Sequence, residues 1–259
     1  MPTAYLFLHG GPAMSSIAER LWYGESLPVD WWDQPRAAAS SPRPYAALVG
    51  SARNKLRTTA DARGGKIALL AHSFGAQIAL ELAAAEASYI ASLTLLAPAH
   101  DMRYVWLTLA QLLQIAAPIP TLQQAAARFA RDTSDEAAMS ALWYALAAVP
   151  TLFDCYWGAA SGKQMACHRN ALADYPDAFD LAAFAAILAD YLRQDTLHAK
   201  AAPVSTTLPV SIWYGNEDRI VDNMAGRHYW SARFPHATIG TLNCGHFIQF
   251  EQSLANLLG

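Results

Sequence analysis

Six short apolar runs, residues 4–8, 27–32, 66–71, 92–96, 209–214 and 238–242, constrain this 259-residue chain more than any other feature. Most are near-continuous hydrophobics rather than alternating ones, the pattern of strands covered on both faces. Helical patterns at 74–85 and 226–233 lie between some of them. Strands alternating with helices imply a parallel sheet in an α/β domain, with function at the C-terminal ends of the strands. Polar residues do gather where the runs end: His9-Gly10-Gly11, Asp33-Gln34, His72-Ser73, Asn216-Glu217-Asp218 and Cys244-Gly245-His246.

Residues 101–202 break this rhythm. They hold helical periods at 104–117, 122–131, 136–147 and 178–193 and no convincing strand, so they read as a helical cap inserted between two strands of one core domain, residues 1–100 and 203–259. Aromatic residues concentrate there: Tyr104, Trp106, Trp143, Tyr144, Phe153, Tyr156 and Trp157. Each can serve the cap's own core; as a group they can also line a pocket between cap and sheet.

Composition excludes several classes. With 18 basic and 21 acidic residues and no basic run, nothing resembles a phosphate-neutralising stripe, which argues against nucleic acid as a partner. The longest apolar stretches are cut by Gln and Pro short of the ~20 residues that span a bilayer, so no membrane partner is expected. The start, MPTAYLFLHGG, lacks a basic region and a small-residue cleavage site. Three cysteines, Cys155, Cys167 and Cys244, cannot all pair within the chain and form no CxxC; a reducing, cytoplasmic compartment is expected, with no metal and no cofactor.

The run Ala71-His72-Ser73-Phe74-Gly75 joins a strand to a helix with no room for an ordinary loop. Ser73 there is either an N-cap or the tip of a strained catalytic turn. Small residues two positions either side, Ala71 and Gly75, suit the sharp turn, and the Phe74 N–H at the helix start faces developing negative charge. A hydroxyl needs a base. His246, after the last strand, is the best placed of the 8 histidines, and Asp218 follows the preceding strand as an orienter. Gly11, beside His9, offers a second N–H to pair with Phe74 as an oxyanion hole.

These elements resemble the α/β-hydrolase fold superfamily, in the branch of proline iminopeptidases, carbon–carbon bond hydrolases and small esterases. The likeness rests on His9-Gly10-Gly11-Pro12, Asp33-Gln34-Pro35-Arg36, His72-Ser73-Phe74-Gly75, Gly215-Asn216-Glu217-Asp218 and Gly245-His246-Phe247, and covers roughly residues 3–100 and 205–259. It implies a three-layer fold and a Ser73–His246–Asp218 triad with Gly11 and Phe74 as oxyanion donors. The chain departs from the pattern in three places. Ala71 stands where the elbow usually has glycine. His9 comes too early for the usual N-terminal hairpin, so a mostly parallel sheet of about six strands is expected; a cap helix or a second copy of the chain, a homodimer, are ways of covering its first edge. The elbow also differs from the Gly-Gly-Ser-Trp-Gly typical of proline iminopeptidases.

The expected activity is a serine hydrolase cleaving an ester or thioester of a hydrophobic or aromatic small molecule through an acyl-enzyme. Carbon–carbon bond hydrolysis, or cyclase or lyase chemistry in a secondary-metabolite pathway, uses the same residues. An iminopeptidase-like aminopeptidase and a non-catalytic small-molecule sensor stand further off. Gln34, His100, Tyr104, Trp143 and Trp157 are the expected substrate contacts. Asp101 is expected to cap the first cap helix, and is the alternative acid if Asp218 is not the orienter.

Overall fold

The computed structural model describes residues 4–194, 204 and 207–258. Its six strands are β1 (Tyr5–Leu8), β2 (Val29–Trp31), β3 (Ile67–His72), β4 (Ile90–Leu96), β5 (Val210–Gly215) and β6 (Thr238–Leu242). They form one sheet in the order β2-β1-β3-β4-β5-β6, parallel throughout. All six expected strands are present. β1 and β3, near the middle, are buried along their whole length, which is why they read as unbroken apolar runs: helices cover both faces, so no position alternates to water. β6, at an edge, has no fully buried residue.

The flanking helices are α1 (Ile17–Tyr23), α2 (Pro44–Arg63), α3 (Gly75–Ala85), α4 (Met102–Ala116), α5 (Pro120–Arg131), α6 (Glu136–Ala147), α7 (Gly162–Asp174), α8 (Leu181–Arg193), α9 (Met224–Arg233), α10 (Ile248–Glu251) and α11 (Leu254–Leu258). Four of these, α4 to α6 and α8, follow the helical periods read between β4 and β5. Asp101 caps α4, accepting from Arg103 N at 2.8 Å. Helices α1, α2, α7, α10 and α11 are additions to the expected set. The 20-residue α2 carries its terminal signals, Pro44 in the first turn and Gly64 in the left-handed conformation (φ 65°) after the last. Its buried stripe, Leu48, Ala52, Leu56 and Ala60, has the four-residue spacing of one helix face. Two of those four are alanine, which weakens the apolar contrast on which a periodicity reading depends.

The helical insertion does not stand apart from the sheet. In α8 the buried Asp190 accepts from Tyr45 N at 2.9 Å, and Tyr191 packs edge-on against Tyr45 and Phe74, with ring centroids at 4.9 and 5.2 Å. The expected boundary between insertion and core, at 202–203, lies outside the described residues.

Gly75 shows how tightly α3 meets β1. A Cβ there would lie 2.1 Å from the Leu8 carbonyl oxygen and 2.8 Å from that of His9, both backbone atoms that cannot swing aside. Gly75→Ala is therefore expected to destabilise the protein by about 3 kcal/mol in urea unfolding. Gly50, inside α2 with nothing within 4 Å of its would-be Cβ, is the control: Gly50→Ala should stabilise by about 0.5–1 kcal/mol, because alanine gives up less backbone freedom in a helix.

Candidate active site

Four loops at the C-terminal ends of the strands build the site. After β3, Ser73 holds φ 51°, a left-handed conformation rare for a residue with a side chain. Three backbone bonds keep it there: Ser73 N donates to Leu96 O at 3.0 Å, and Ser73 O accepts from Ala76 N and Ala99 N at 3.1 and 3.2 Å. Strain of this kind persists only where surrounding structure over-determines it. Ala71, at the position where the family pattern has glycine, is fully buried in the strand. The close approach that needs glycine instead falls at Gly10, whose Cβ would meet His72 Nδ1 and Ser73 Cβ at 2.8 Å.

His246 and Asp218, drawn from loops 28 positions apart, meet in the interior. His246 Nδ1 and Asp218 Oδ2 are 2.8 Å apart, both side chains almost wholly excluded from solvent. A carboxylate oxygen can only accept, so Nδ1 carries the proton and Nε2 keeps its lone pair. Asp218 Oδ1 meanwhile accepts from Ile220 N and Val221 N, at 2.8 and 3.2 Å. These contacts satisfy a buried charge and fix the carboxylate's orientation. His246 and Ser73 line the same cavity. Ser73 Oγ makes no hydrogen bond with another described residue; nucleophile–base contacts are often long until substrate is bound.

The floor of the cavity also includes Gly11 (φ 73°) and His9, and its walls are apolar, with Trp106, Trp143, Phe153, Phe184 and Phe247 among them. Neither Gly11 N nor Phe74 N donates to another described residue. Trp143 is thus the one expected substrate contact on the cavity wall, stacked on Phe184 with centroids 4.3 Å apart. The structure moves the other four elsewhere. Gln34 braces the loop after β1, donating to His9 O and accepting from Ala13 N, both at 3.0 Å. His100 packs between Tyr104 and Tyr229, and Tyr104 is exposed. Trp157 lies behind the wall against Phe247, with centroids at 4.6 Å. Helix α4 explains the position of Tyr104: the buried face carries Met102, Val105, Trp106 and Leu109, and Tyr104 falls off that face.

Two features of the site have no counterpart among the expected residues. Glu251 gathers the insertion and the His246 loop at one oxygen: its Oε2 accepts from Gly158 N at 2.9 Å, from Gly245 N at 3.0 Å and from Ser161 Oγ. His246 N itself donates to Tyr156 O at 2.7 Å, so the insertion helps set the position of the imidazole. Beneath the imidazole, His72 Nε2 donates to His246 O at 3.1 Å, and its Nδ1 accepts from Gln249 Nε2 at 3.4 Å. Burial, with His246 adjacent, holds the His72 pKa well below the usual value, so this ring stays neutral.

Among the described residues there is no group of three or more His, Cys, Asp or Glu side chains able to hold a metal ion. No helix among them is long and apolar enough to cross a membrane, and Cys155, Cys167 and Cys244 are free.

Several solved structures are similar to this one. A proline iminopeptidase-related protein from Thermus thermophilus is 22% identical, matching 96% of this chain and 84% of its own with a TM-score of 0.61. The 2-hydroxy-6-oxo-6-phenylhexa-2,4-dienoate hydrolase from Rhodococcus sp. strain RHA1 is 16% identical, over 99% of this chain and 89% of its own, with a TM-score of 0.59. An enol-lactonase from Burkholderia xenovorans LB400 is 16% identical over the same shares, with a TM-score of 0.60. At such identities the likeness establishes the fold alone. No curated protein sequence matches. A family model described as alpha/beta hydrolase fold matches residues 61–253, from the end of α2 through the elbow, the insertion and the His246 loop. Because that match covers most of the chain and the parallel sheet carries Ser73, Asp218 and His246 on separate strand-end loops, this protein belongs to the alpha/beta hydrolase fold family.

Proposed function

We propose that this protein is a serine hydrolase acting on an ester or thioester of a hydrophobic or aromatic small molecule. Ser73 is the nucleophile, His246 the base, Asp218 the orienting acid, and the Gly11 and Phe74 N–H groups the oxyanion donors. The observation that carries this reading is the buried 2.8 Å contact between Asp218 and His246 Nδ1, which leaves Nε2 as a lone pair in the cavity that Ser73 enters at a strained turn.

In acylation, His246 Nε2 takes the Ser73 proton as Oγ attacks the carbonyl carbon. The negative charge that develops on the carbonyl oxygen is met by the two N–H groups, neither of which is committed to another described residue. The imidazolium, stabilised by Asp218, returns its proton to the departing alcohol or thiol as that bond breaks, leaving an acyl-Ser73 ester. Water then attacks the ester, giving its proton to Nε2. Collapse of the second tetrahedral species releases the acid and restores the Ser73 hydroxyl with that same proton. The helical insertion acts as the cap, supplying an aromatic wall that suits an apolar acyl chain.

Short-chain p-nitrophenyl esters test this directly. A burst of one nitrophenolate per protein followed by steady turnover, together with stoichiometric labelling of Ser73 by a fluorophosphonate, is the expected result. Labelling without turnover would instead mark a sensor.

A further inference from the structure

One charged group in the cavity has no part in that reaction. Glu19, on α1, is only 6% exposed and lines the same space as Ser73. Its single hydrogen bond to a described side chain comes from Gln249 Nε2, 3.2 Å from Oε1. The neighbouring Arg20 is committed to Asp33, with contacts of 2.9 and 3.0 Å, and to Trp31 O. The backbone N–H of Glu19 itself and the charge of Arg20 also favour the carboxylate, but burial outweighs them, and a further donor would stabilise the charge.

A second group on the cavity surface carries an acceptor that has no partner at all. His9 is 3% exposed, and its Nδ1 lies 2.9 Å from Gly10 O. A carbonyl can only accept, so Nδ1 holds the hydrogen and Nε2 is a bare acceptor. That Nε2 is buried and has no hydrogen-bond partner among the described residues. Burial also lowers the pKa of His9, so the ring does not protonate to relieve the shortage.

We propose that His9 and Glu19 form a polar subsite that accepts hydrogen bonds from a hydroxyl or ammonium group carried by the substrate away from its scissile carbonyl. His9 Nε2, an acceptor without a partner, and Glu19, a buried carboxyl with one side-chain donor, call for a further donor in an otherwise aromatic cavity. Burial raises the Glu19 pKa to about 7, so a substantial fraction is anionic at neutral pH and ready to receive a cation. The substrate class deepens to apolar acyl compounds tipped with a hydroxyl or an amine; in that respect the inference rests on the hydrolase reading.

Binding of non-hydrolysable ketones separates the two. Calorimetry would compare 2-octanone with 8-hydroxyoctan-2-one and 8-aminooctan-2-one, alongside turnover of p-nitrophenyl hexanoate and 6-hydroxyhexanoate. The donor-tipped ketones are expected to bind about tenfold more tightly than 2-octanone, the value of one well-made hydrogen bond to a charged group. In Glu19→Met that ratio should fall to within about twofold while binding of 2-octanone is kept. Glu19→Gln keeps the shape and an acceptor but not the charge; it should lose most of the preference for the amine, and it serves if the methionine variant does not fold. Equal binding of the three ketones by the wild type, or a preference unchanged in the Glu19 variants, overturns the subsite. A retained ketone preference with no ester turnover supports the subsite and overturns the hydrolase reading.

Discussion

Ser73→Ala is expected to lower kcat for a p-nitrophenyl ester by about 10⁶-fold, the scale seen when a hydrolase loses its nucleophile. The reason is local. Removing Oγ deletes the proposed nucleophile, yet leaves the backbone bonds to Leu96, Ala76 and Ala99 that shape the turn. Urea unfolding should therefore be unchanged within about 0.5 kcal/mol, since alanine at φ 51° carries the same strain as serine. Ser73→Gly separates strain from chemistry. It should be just as inactive but about 1 kcal/mol more stable, because glycine adopts this conformation without steric cost. Activity persisting in both variants would show that the nucleophile lies elsewhere.

Asp218→Asn carries the second large effect, a loss of about 10⁴-fold in kcat at neutral pH. Oδ1 of Asp218 accepts from two backbone N–H groups. An asparagine must keep its oxygen there and turn its amide nitrogen toward His246 Nδ1. Two donors cannot face each other, so the imidazole moves its proton to Nε2, the atom that has to receive one from Ser73. The fold survives and the base is blocked. Asp101→Asn is the matched control: asparagine caps a helix as well as aspartate, and among the described residues the hydrogen bond of the Asp101 side chain is the one that caps α4. Activity within about twofold of wild type is expected there. A loss as large as that of Asp218→Asn would place the acid after β4 instead.

Not all of this was equally legible in the chain. The strands could be read because a sheet covered on both faces admits apolar residues at every position, and β3, Ile67–His72, is buried throughout. Ser73, Asp218 and His246 could be read because strand ends are where a parallel sheet presents polar residues, and each follows an apolar run. Helix α1 could not be, since its seven residues are too short to show a period. With α1 went Glu19, whose environment is created by α10, far along the chain. Tyr23 of α1 bonds the Gln249 carbonyl, and the Gln249 side chain reaches Glu19. The aromatics that line the cavity were not separable from the others for a related reason: composition places aromatics in the insertion, but helix phase decides which of them face inward.

The order of apolar runs and the polar residues at their ends were enough to set the parallel sheet, its strand-end loops and the identity of the three candidate catalytic residues, because these follow from local patterning and chain order. Which side chains line the cavity, how Glu251 ties the insertion to the His246 loop, and why Glu19 is buried beside Gln249 while His9 Nε2 has no partner were decided only by tertiary packing. Burial and the supply of donors are properties of a residue's neighbours, and for Glu19 those neighbours come from a segment more than two hundred positions away in the chain.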